Sequence, residues 1–214
     1  MEKTLFITNV GSHLWSMQTP DSDLDLMVVY QESTRDILEG KLIHKTKPDR
    51  TFERDGVTVD QKEQEIGHLV NKLIDGNVNA IWTVCTPLIM QDHPYLQVLR
   101  RITEQNLSKA SYASIKGMAV SQFKDHTKRA GVMPIGKALK TTWRTCVFGQ
   151  MLLLAKKIQF KSAPLEEVTV SDVEWILNGL EYAYNESTLP ERPDEKPFRD
   201  FLFSIRIDEL TRRE

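Results

Sequence analysis

Three aspartates stand at alternate positions just before a run of residues typical of a β-strand. Asp21, Asp23 and Asp25 lead into the segment LMVVY, which ends at Tyr30. Crowded carboxylates repel one another and are costly to desolvate, so they lie in a solvated turn or bind a cation. Residues two apart on a strand point to the same face, which predicts that Asp23 and Asp25 present their carboxylates side by side. Such a pair favours a hard divalent cation, Mg²⁺ or Mn²⁺.

The same spacing matches the first ligands of an EF-hand calcium loop, and Glu32 stands where that loop has its last ligand. That loop requires glycine at its sixth position, where this chain has Leu26 followed by strand-forming residues. The sequence therefore excludes the calcium loop and leaves the metal-binding pair, with Asp21 as a flanking residue.

A Gly-Ser pair ahead of the aspartates adds a phosphate-binding element. Gly11 and Ser12 follow LFITNV, a short run that predicts a strand. Glycine lets backbone N–H groups approach a ligand closely, and the hydroxyl and the start of a helical turn can hold phosphate oxygens. A Gly-Ser pair alone indicates only a turn. Joined to Asp23 and Asp25, it predicts a triphosphate site beside a metal site.

A third carboxylate comes from a predicted hairpin. The segment RTFERDGVTVDQK alternates around Asp55-Gly56, which predicts strands at Thr51–Arg54 and Val57–Gln61. Asp60 then lies on a strand that can pair beside the first two. Two-metal nucleotidyl transfer needs such a set, because carboxylates position both metal ions or act as a base.

The remaining elements are predicted from the hydrophobic period. Glu63 is expected in the first turn of a helix whose apolar stripe reaches Ile74 and which Gly76-Asn77 ends. Further helices are predicted at Tyr95–Leu107, Ser108–Arg129, Ile135–Ile158, Ser171–Tyr184 and Pro197–Leu210. This order predicts an α+β protein: a small mixed β-sheet domain, residues 1–90, followed by a C-terminal helical bundle, residues 91–214.

Charge is unevenly distributed along the chain. The 214 residues have a net charge of −2, but residues 97–161 carry 13 Lys and Arg against two acidic residues, a local net charge of +11. This favours a middle region that faces nucleotide phosphates or nucleic acid, although solvated helix faces also fit. Lys137, Lys140 and Arg144 share one face of a predicted helix and are candidates for stabilising a triphosphate and the leaving pyrophosphate.

The two cysteines give no sign of a disulfide framework or a zinc site. Cys85 and Cys146 are far apart, and no C-x-x-C or Cys/His ligand spacing occurs. The short N-terminal apolar run does not fit a signal peptide, and no segment approaches membrane-spanning length. We therefore expect a cytoplasmic protein.

Together these motifs resemble a known family. Val10-Gly11-Ser12, followed by Asp23-Leu24-Asp25-Leu26, resembles the signature of the DNA polymerase β-like nucleotidyltransferase superfamily. Most of residues 5–160 resembles one branch, the predicted nucleotidyltransferases that include the RNA-ligase-associated, RNA-repair type. In that branch a helix and a Gly-Asn turn follow the third carboxylate, as Gly76-Asn77 follows Asp60, and a later segment resembles SIKGMAVSQFK with KALKTTWRT after it.

The resemblance implies a polymerase β-like palm domain and an enzyme of EC 2.7.7 type. Such an enzyme transfers an NMP from an NTP, with ATP favoured, to an acceptor hydroxyl and releases pyrophosphate. It implies that Asp23, Asp25 and Asp60 hold two Mg²⁺ or Mn²⁺ ions, that Gly11 and Ser12 hold the triphosphate, and that Asp60 assists deprotonation of the acceptor.

Several acceptors stay open. An RNA or tRNA 3′ end is favoured by the basic middle region and the branch resemblance. A protein hydroxyl, as in antitoxin-like relatives, and a small molecule, as in antibiotic-modifying relatives, are the alternatives. A non-catalytic nucleotide-binding protein is the alternative from another functional class.

Overall fold

The computed structural model describes residues 3–41, 44–128, 135–164 and 166–211. Its elements, in chain order, are β1 (Lys3–Asn9), α1 (Gly11–Leu14), β2 (Leu24–Gln31), α2 (Thr34–Leu38), β3 (Arg50–Arg54), β4 (Val57–Glu65), α3 (Ile66–Ile74), α4 (Val78–Cys85), β5 (Ile89–Gln91), α5 (Pro94–Gln105), α6 (Ser111–Lys128), α7 (Ile135–Ala155), α8 (Val170–Glu186) and α9 (Lys196–Thr211). The predicted α+β class, with a small mixed sheet followed by helices, is confirmed.

The sheet has the strand order β3-β4-β2-β1-β5. β2 pairs antiparallel with β1 and parallel with β4. The predicted hairpin is confirmed: β3 and β4 are antiparallel, and Asp55 and Gly56 both have positive φ, 52° and 77°, as a tight primed turn requires. Asp60 lies on β4, as predicted, and the parallel register places it opposite Asp25 of β2.

Two expectations at the ends of these strands were wrong. Glu63 is a buried residue of β4 that pairs with Lys47 at 3.0 Å, and it does not lie in a helix. Pairing with β2 extends β4 to Glu65, whose carboxylate accepts a hydrogen bond from the Gly67 N–H and caps α3. Asp23 lies just before β2 and not within the strand.

α3 ends where the sequence predicted. Gly76 has φ +70°, and a Cβ there would lie 2.5 Å from the backbone nitrogen of Ser111, so the turn packs tightly on the start of α6. Asn77 caps α4 through its side chain, which accepts from the Ala80 N–H. α4 and β5 had no sequence prediction.

The helices predicted in the second half are confirmed as α5 to α9, and the predicted end at Arg129 lies outside the described residues. α6, α7 and α8 meet at Gly149, where an added Cβ would lie 2.5 Å from Leu180 and 2.8 Å from Ile115. One hydrophobic core runs from Leu5 on β1 to Ile205 on α9. The division at residue 90 stays a prediction.

α9 returns to the N-terminal half of the sequence. Arg206 forms an ion pair with Glu65, and the two side chains are only 15% and 3% exposed. Arg206 also donates to the carbonyl oxygen of Glu32, and Gln31 donates to that of Ile205. In the described part of the chain, no helix is long and apolar enough to cross a membrane.

Candidate functional site

The carboxylates are positioned by two neighbouring parallel strands. Asp25 near the start of β2 is paired in register with Asp60 of β4, so both side chains lie on the same face. Asp23, two residues earlier, precedes the strand and is exposed. The Oδ1 atom of Asp60 accepts a hydrogen bond from Thr51 of β3 at 2.7 Å.

Gly11 lies directly against Asp25. Gly11 has φ +66°, and a Cβ at this position would lie 1.7 Å from Oδ2 of Asp25. The Val10 N–H donates to the Asp25 carbonyl oxygen at 2.9 Å, which joins the end of β1 to β2 at this point. Glycine suits both this backbone conformation and the close approach to Asp25. The Gly-Ser turn therefore packs against the Asp25 carboxylate.

The charges of the three aspartates act on one another. Burial raises the pKa of Asp25 above its usual value, and the neighbouring charges of Asp60 and Asp23 raise it further. Lys62 and His13 oppose this shift. A divalent cation held by these carboxylates would offset their repulsion, so the donor set fits Mg²⁺ or Mn²⁺. Within the described ranges, however, no three His, Cys, Asp or Glu side chains converge as a ready-made metal cluster.

A cavity of about 980 Å³ lies between the carboxylates and the basic face of α7. One side is formed by the turn and the acidic segment: Gly11, Ser12, Asp21, Asp23 and Asp25. The other side is formed by α7, with Lys137, Lys140 and Arg144 among its residues. Of the candidate metal-binding and phosphate-binding residues, this cavity thus brings together all except Asp60. Asp60 borders a second cavity, which shares Gly11 and Asp25 with the first.

Arg144 is the buried charge of the large cavity. Its residue exposure is 9%, its guanidinium lies 5.0 Å from the Trp15 ring, and Nη1 donates to the sulfur of Met17 at 3.6 Å. Its Nε has no hydrogen-bond partner among the described residues. Burial lowers the pKa of Arg144 to about 10, and Asp25 opposes that shift. A buried guanidinium with an unused donor is costly, and an anionic ligand would compensate it.

The match to the family described as "RlaP: RNA repair pathway DNA polymerase beta family" spans residues 2–158. The chain belongs to this family. Membership confirms the resemblance to the polymerase β-like nucleotidyltransferases of the RNA-repair branch. The RlaP match includes both carboxylate strands and the whole of α7.

A solved structure also resembles the chain, the nucleotidyltransferase-like protein from Exiguobacterium sibiricum 255-15. The two are 15% identical, the comparison covers 94% of this chain and 73% of that one, and the TM-score is 0.36. No curated protein matches the chain.

Sequence reasoning missed several residues that line these two cavities. Thr141 lines the large cavity and lies one turn from Lys137 on α7, so helical spacing could have found it. Gln122 of α6 lies within the SIKGMAVSQFK segment noted in the sequence, and it lines the same cavity. Glu167, after α7, reaches that cavity from a segment without a local signal. Lys62 stands two residues after Asp60 on the same strand face and borders the second cavity.

Proposed function

We propose that this RlaP-family chain is a divalent-metal-dependent nucleotidyltransferase that adds an NMP unit from an NTP, with ATP favoured, to the 3′ hydroxyl of RNA or tRNA. The observation that carries this proposal is the large cavity itself. It joins the Gly11-Ser12 turn, the carboxylates of Asp23 and Asp25, and the buried Arg144. A divalent cation and a guanidinium are both complementary to negatively charged phosphate oxygens.

The reaction requires a negatively charged triphosphate to be held while its α-phosphorus is attacked. The acceptor oxygen forms a bond to that phosphorus, the bond to the oxygen bridging to the β-phosphate breaks, and pyrophosphate leaves with the electron pair. We assign the hydroxyl proton to Asp60, from which it passes to water. Oδ1 of Asp60 already accepts from Thr51, so Oδ2 is the atom assigned to this role.

Asp23, Asp25 and Asp60 are the residues that would hold two Mg²⁺ or Mn²⁺ ions. Burial and, after it, repulsion by Asp60 and Asp23 raise the pKa of Asp25, and the repulsion supports this assignment. When bound, the metal supplies charge stabilisation for the triphosphate and its leaving group. Gly11 and Ser12 would hold phosphate oxygens at the start of the α1 turn.

The basic residues of α7 would neutralise the charge that develops on pyrophosphate. Arg144 is enclosed by Trp15 and Met17, and in such a low-dielectric setting its charge acts more strongly than it would in water. Lys137 and Lys140 lie on the same helix face and line the same cavity. We propose that Arg144 and the two lysines bind the β- and γ-phosphates.

An RNA acceptor is supported by the name of the family and by the net charge of +11 over residues 97–161.

A cytoplasmic location is supported by Cys85 and Cys146, which are buried and unpaired. Burial raises the pKa of both thiols to about 12, so neither is a nucleophile at neutral pH.

The test is NMP transfer from α-labelled ATP to RNA with Mg²⁺ or Mn²⁺. We expect Asp23→Ala and Asp25→Ala to abolish transfer, whereas Asp55→Ala, in the exposed hairpin turn, serves as the matched control and keeps it. Arg144→Met should raise the KM for ATP, and Arg144→Lys should restore part of the affinity because it keeps the charge but not the planar donor fork.

Activity that survives both Asp23→Ala and Asp25→Ala would contradict the proposed site. If the label were found on protein or on a small molecule and not on RNA, that molecule would be the acceptor in place of RNA. Calorimetry that detects Mg-ATP binding without turnover on any acceptor would favour a non-catalytic binding protein.

A further inference from the structure

A second cavity, of about 330 Å³, opens on the Asp60 side of the carboxylates. Gly11 and Asp25 border both this cavity and the larger one, so the two meet at the carboxylates. The volume is at the lower end of the range for ligand pockets, roughly 300–1,000 Å³. A cavity of this volume can hold a single nucleotide but not several nucleotides of an extended strand.

The location of this cavity matches a requirement of the proposed reaction. In-line displacement needs the attacking oxygen and the leaving pyrophosphate on opposite sides of the α-phosphorus. The larger cavity contains the cations that suit a triphosphate, whereas Asp60, the proposed base, borders only the smaller one. An acceptor hydroxyl that enters through the smaller cavity meets Asp60 and attacks from the side opposite the pyrophosphate.

Besides Asp25 and Asp60, the lining of the smaller cavity contains two lysines and several hydrogen-bonding side chains. Lys62 comes from β4, Lys72 from α3, and Asn79 from the first turn of α4. Lys62 forms an ion pair with the exposed Asp49 at 3.6 Å, a contact that an anion can replace at little cost. Lys72 is partly buried, burial lowers its pKa, and no carboxylate of the described residues forms an ion pair with it.

We infer that the smaller cavity receives the terminal nucleotide of the acceptor strand, with Lys72 and Lys62 on its phosphodiester oxygens. Asn79 hydrogen-bonds the same nucleotide, and the 3′ hydroxyl lies at the border formed by Asp25 and Asp60. A lysine with no carboxylate partner recognises an anion, and a phosphodiester supplies one next to the attacking hydroxyl. A serine, threonine or tyrosine hydroxyl of a protein acceptor brings no such charge. This inference rests on the proposed function.

The experiment separates the two substrates by steady-state kinetics on the full chain. Lys72→Gln should raise the KM for a short RNA acceptor by about tenfold or more, the loss expected for one charge-assisted hydrogen bond, and leave the KM for ATP unchanged. Lys137→Gln, in the larger cavity, should do the reverse. Lys72→Arg should restore RNA affinity, since it keeps the charge.

Binding without ATP gives an independent readout. Fluorescence anisotropy of a labelled RNA should show weaker binding to Lys72→Gln. The slope of log K against log salt should also fall by about 0.7, because one phosphate contact to a single strand is lost. If Lys72 had a purely structural role, Lys72→Gln would lower the unfolding temperature without changing this slope.

Each outcome identifies which proposal fails. If the wild type transfers NMP to RNA and Lys72→Gln keeps full RNA affinity and its salt slope, the smaller cavity does not bind the acceptor. The proposed function then stands. If the wild type labels a protein in place of RNA, the phosphodiester inference is overturned while nucleotidyl transfer survives. If no acceptor is labelled but Lys72→Gln still weakens RNA binding, the proposed function fails and the cavity remains an RNA site.

Discussion

Gly11→Ala tests whether the contact between the Gly-Ser turn and Asp25 governs the chemistry. The new Cβ would lie 1.7 Å from Oδ2 of Asp25. Nonbonded heavy atoms are normally about 3.5 Å apart, so the carboxylate has to move by more than about 1.5 Å. A misplacement of about 1 Å at a reacting centre can cost roughly 100-fold in rate, and we expect at least that loss of NMP transfer.

The backbone cost of the same substitution is separate and smaller. A non-glycine residue at the φ of +66° found here loses about 1–2 kcal/mol of stability. Gly56→Ala is the matched control, because Gly56 has φ +77° and an added Cβ meets nothing within 4 Å. Gly56→Ala should lose only the backbone free energy in urea unfolding, and Gly11→Ala should lose more because of the clash with Asp25. Only Gly11→Ala should lose transfer at saturating ATP and RNA. Equal activity in the two variants would refute the argument that this contact positions Asp25.

Three further predictions concern stability. Because burial and like charges raise the pKa of Asp25, its ionised form costs stability at pH 7. Asp25→Asn should therefore raise the unfolding temperature without divalent ions, and the gain should vanish as the pH falls toward the ordinary value of 3.8. Glu65→Ala removes the carboxylate that pairs with the largely buried side chain of Arg206 and should cost about 3–5 kcal/mol in urea unfolding. Gly149→Ala should destabilise by about 1–3 kcal/mol through overpacking, whereas Gly117→Ala, where nothing lies within 4 Å of the added Cβ, should stabilise by about 0.5–1 kcal/mol.

The outcomes that contradict these predictions are equally specific. A loss of stability in Asp25→Asn at pH 7 would mean that its carboxylate is favourably paired in the folded state. A cost below about 1 kcal/mol for Glu65→Ala would mean that water reaches the pair, as it does in exposed ion pairs. Equal effects at Gly149 and Gly117 would show that the helix junction has room for a methyl group.

Local patterns predicted the parts of the fold that depend on local rules. The Asp55-Gly56 turn fixed the β3–β4 hairpin, and the apolar stripe ending at Ile74 located α3. α4 was missed because nearly all of its side chains are buried, so it has no polar face to give a helical period. Glu63 was misplaced because its strand continues through pairing with β2, and that partner is distant in sequence.

The candidate site could be predicted from the sequence to a similar extent. The face shared by Lys137, Lys140 and Arg144 follows from helical spacing, but the orientation of that face toward Asp25 depends on how α7 packs. The register that pairs Asp25 with Asp60 follows from a parallel connection whose geometry no short motif encodes. Lys72 could not be singled out, since only tertiary packing brings α3 beside the carboxylate strands.

The return of α9 to the sheet has a consequence for how the chain acquires its structure. Arg206 reaches Glu65 and the Glu32 carbonyl, and Gln31 reaches the Ile205 carbonyl across 174 positions of sequence. Contacts this distant in sequence slow folding, because a long loop must close before they form. During synthesis the buried Glu65 lacks its Arg206 partner until residues 196–211 have left the ribosome. The sheet therefore reaches its final stability only after the helical half of the chain has been translated.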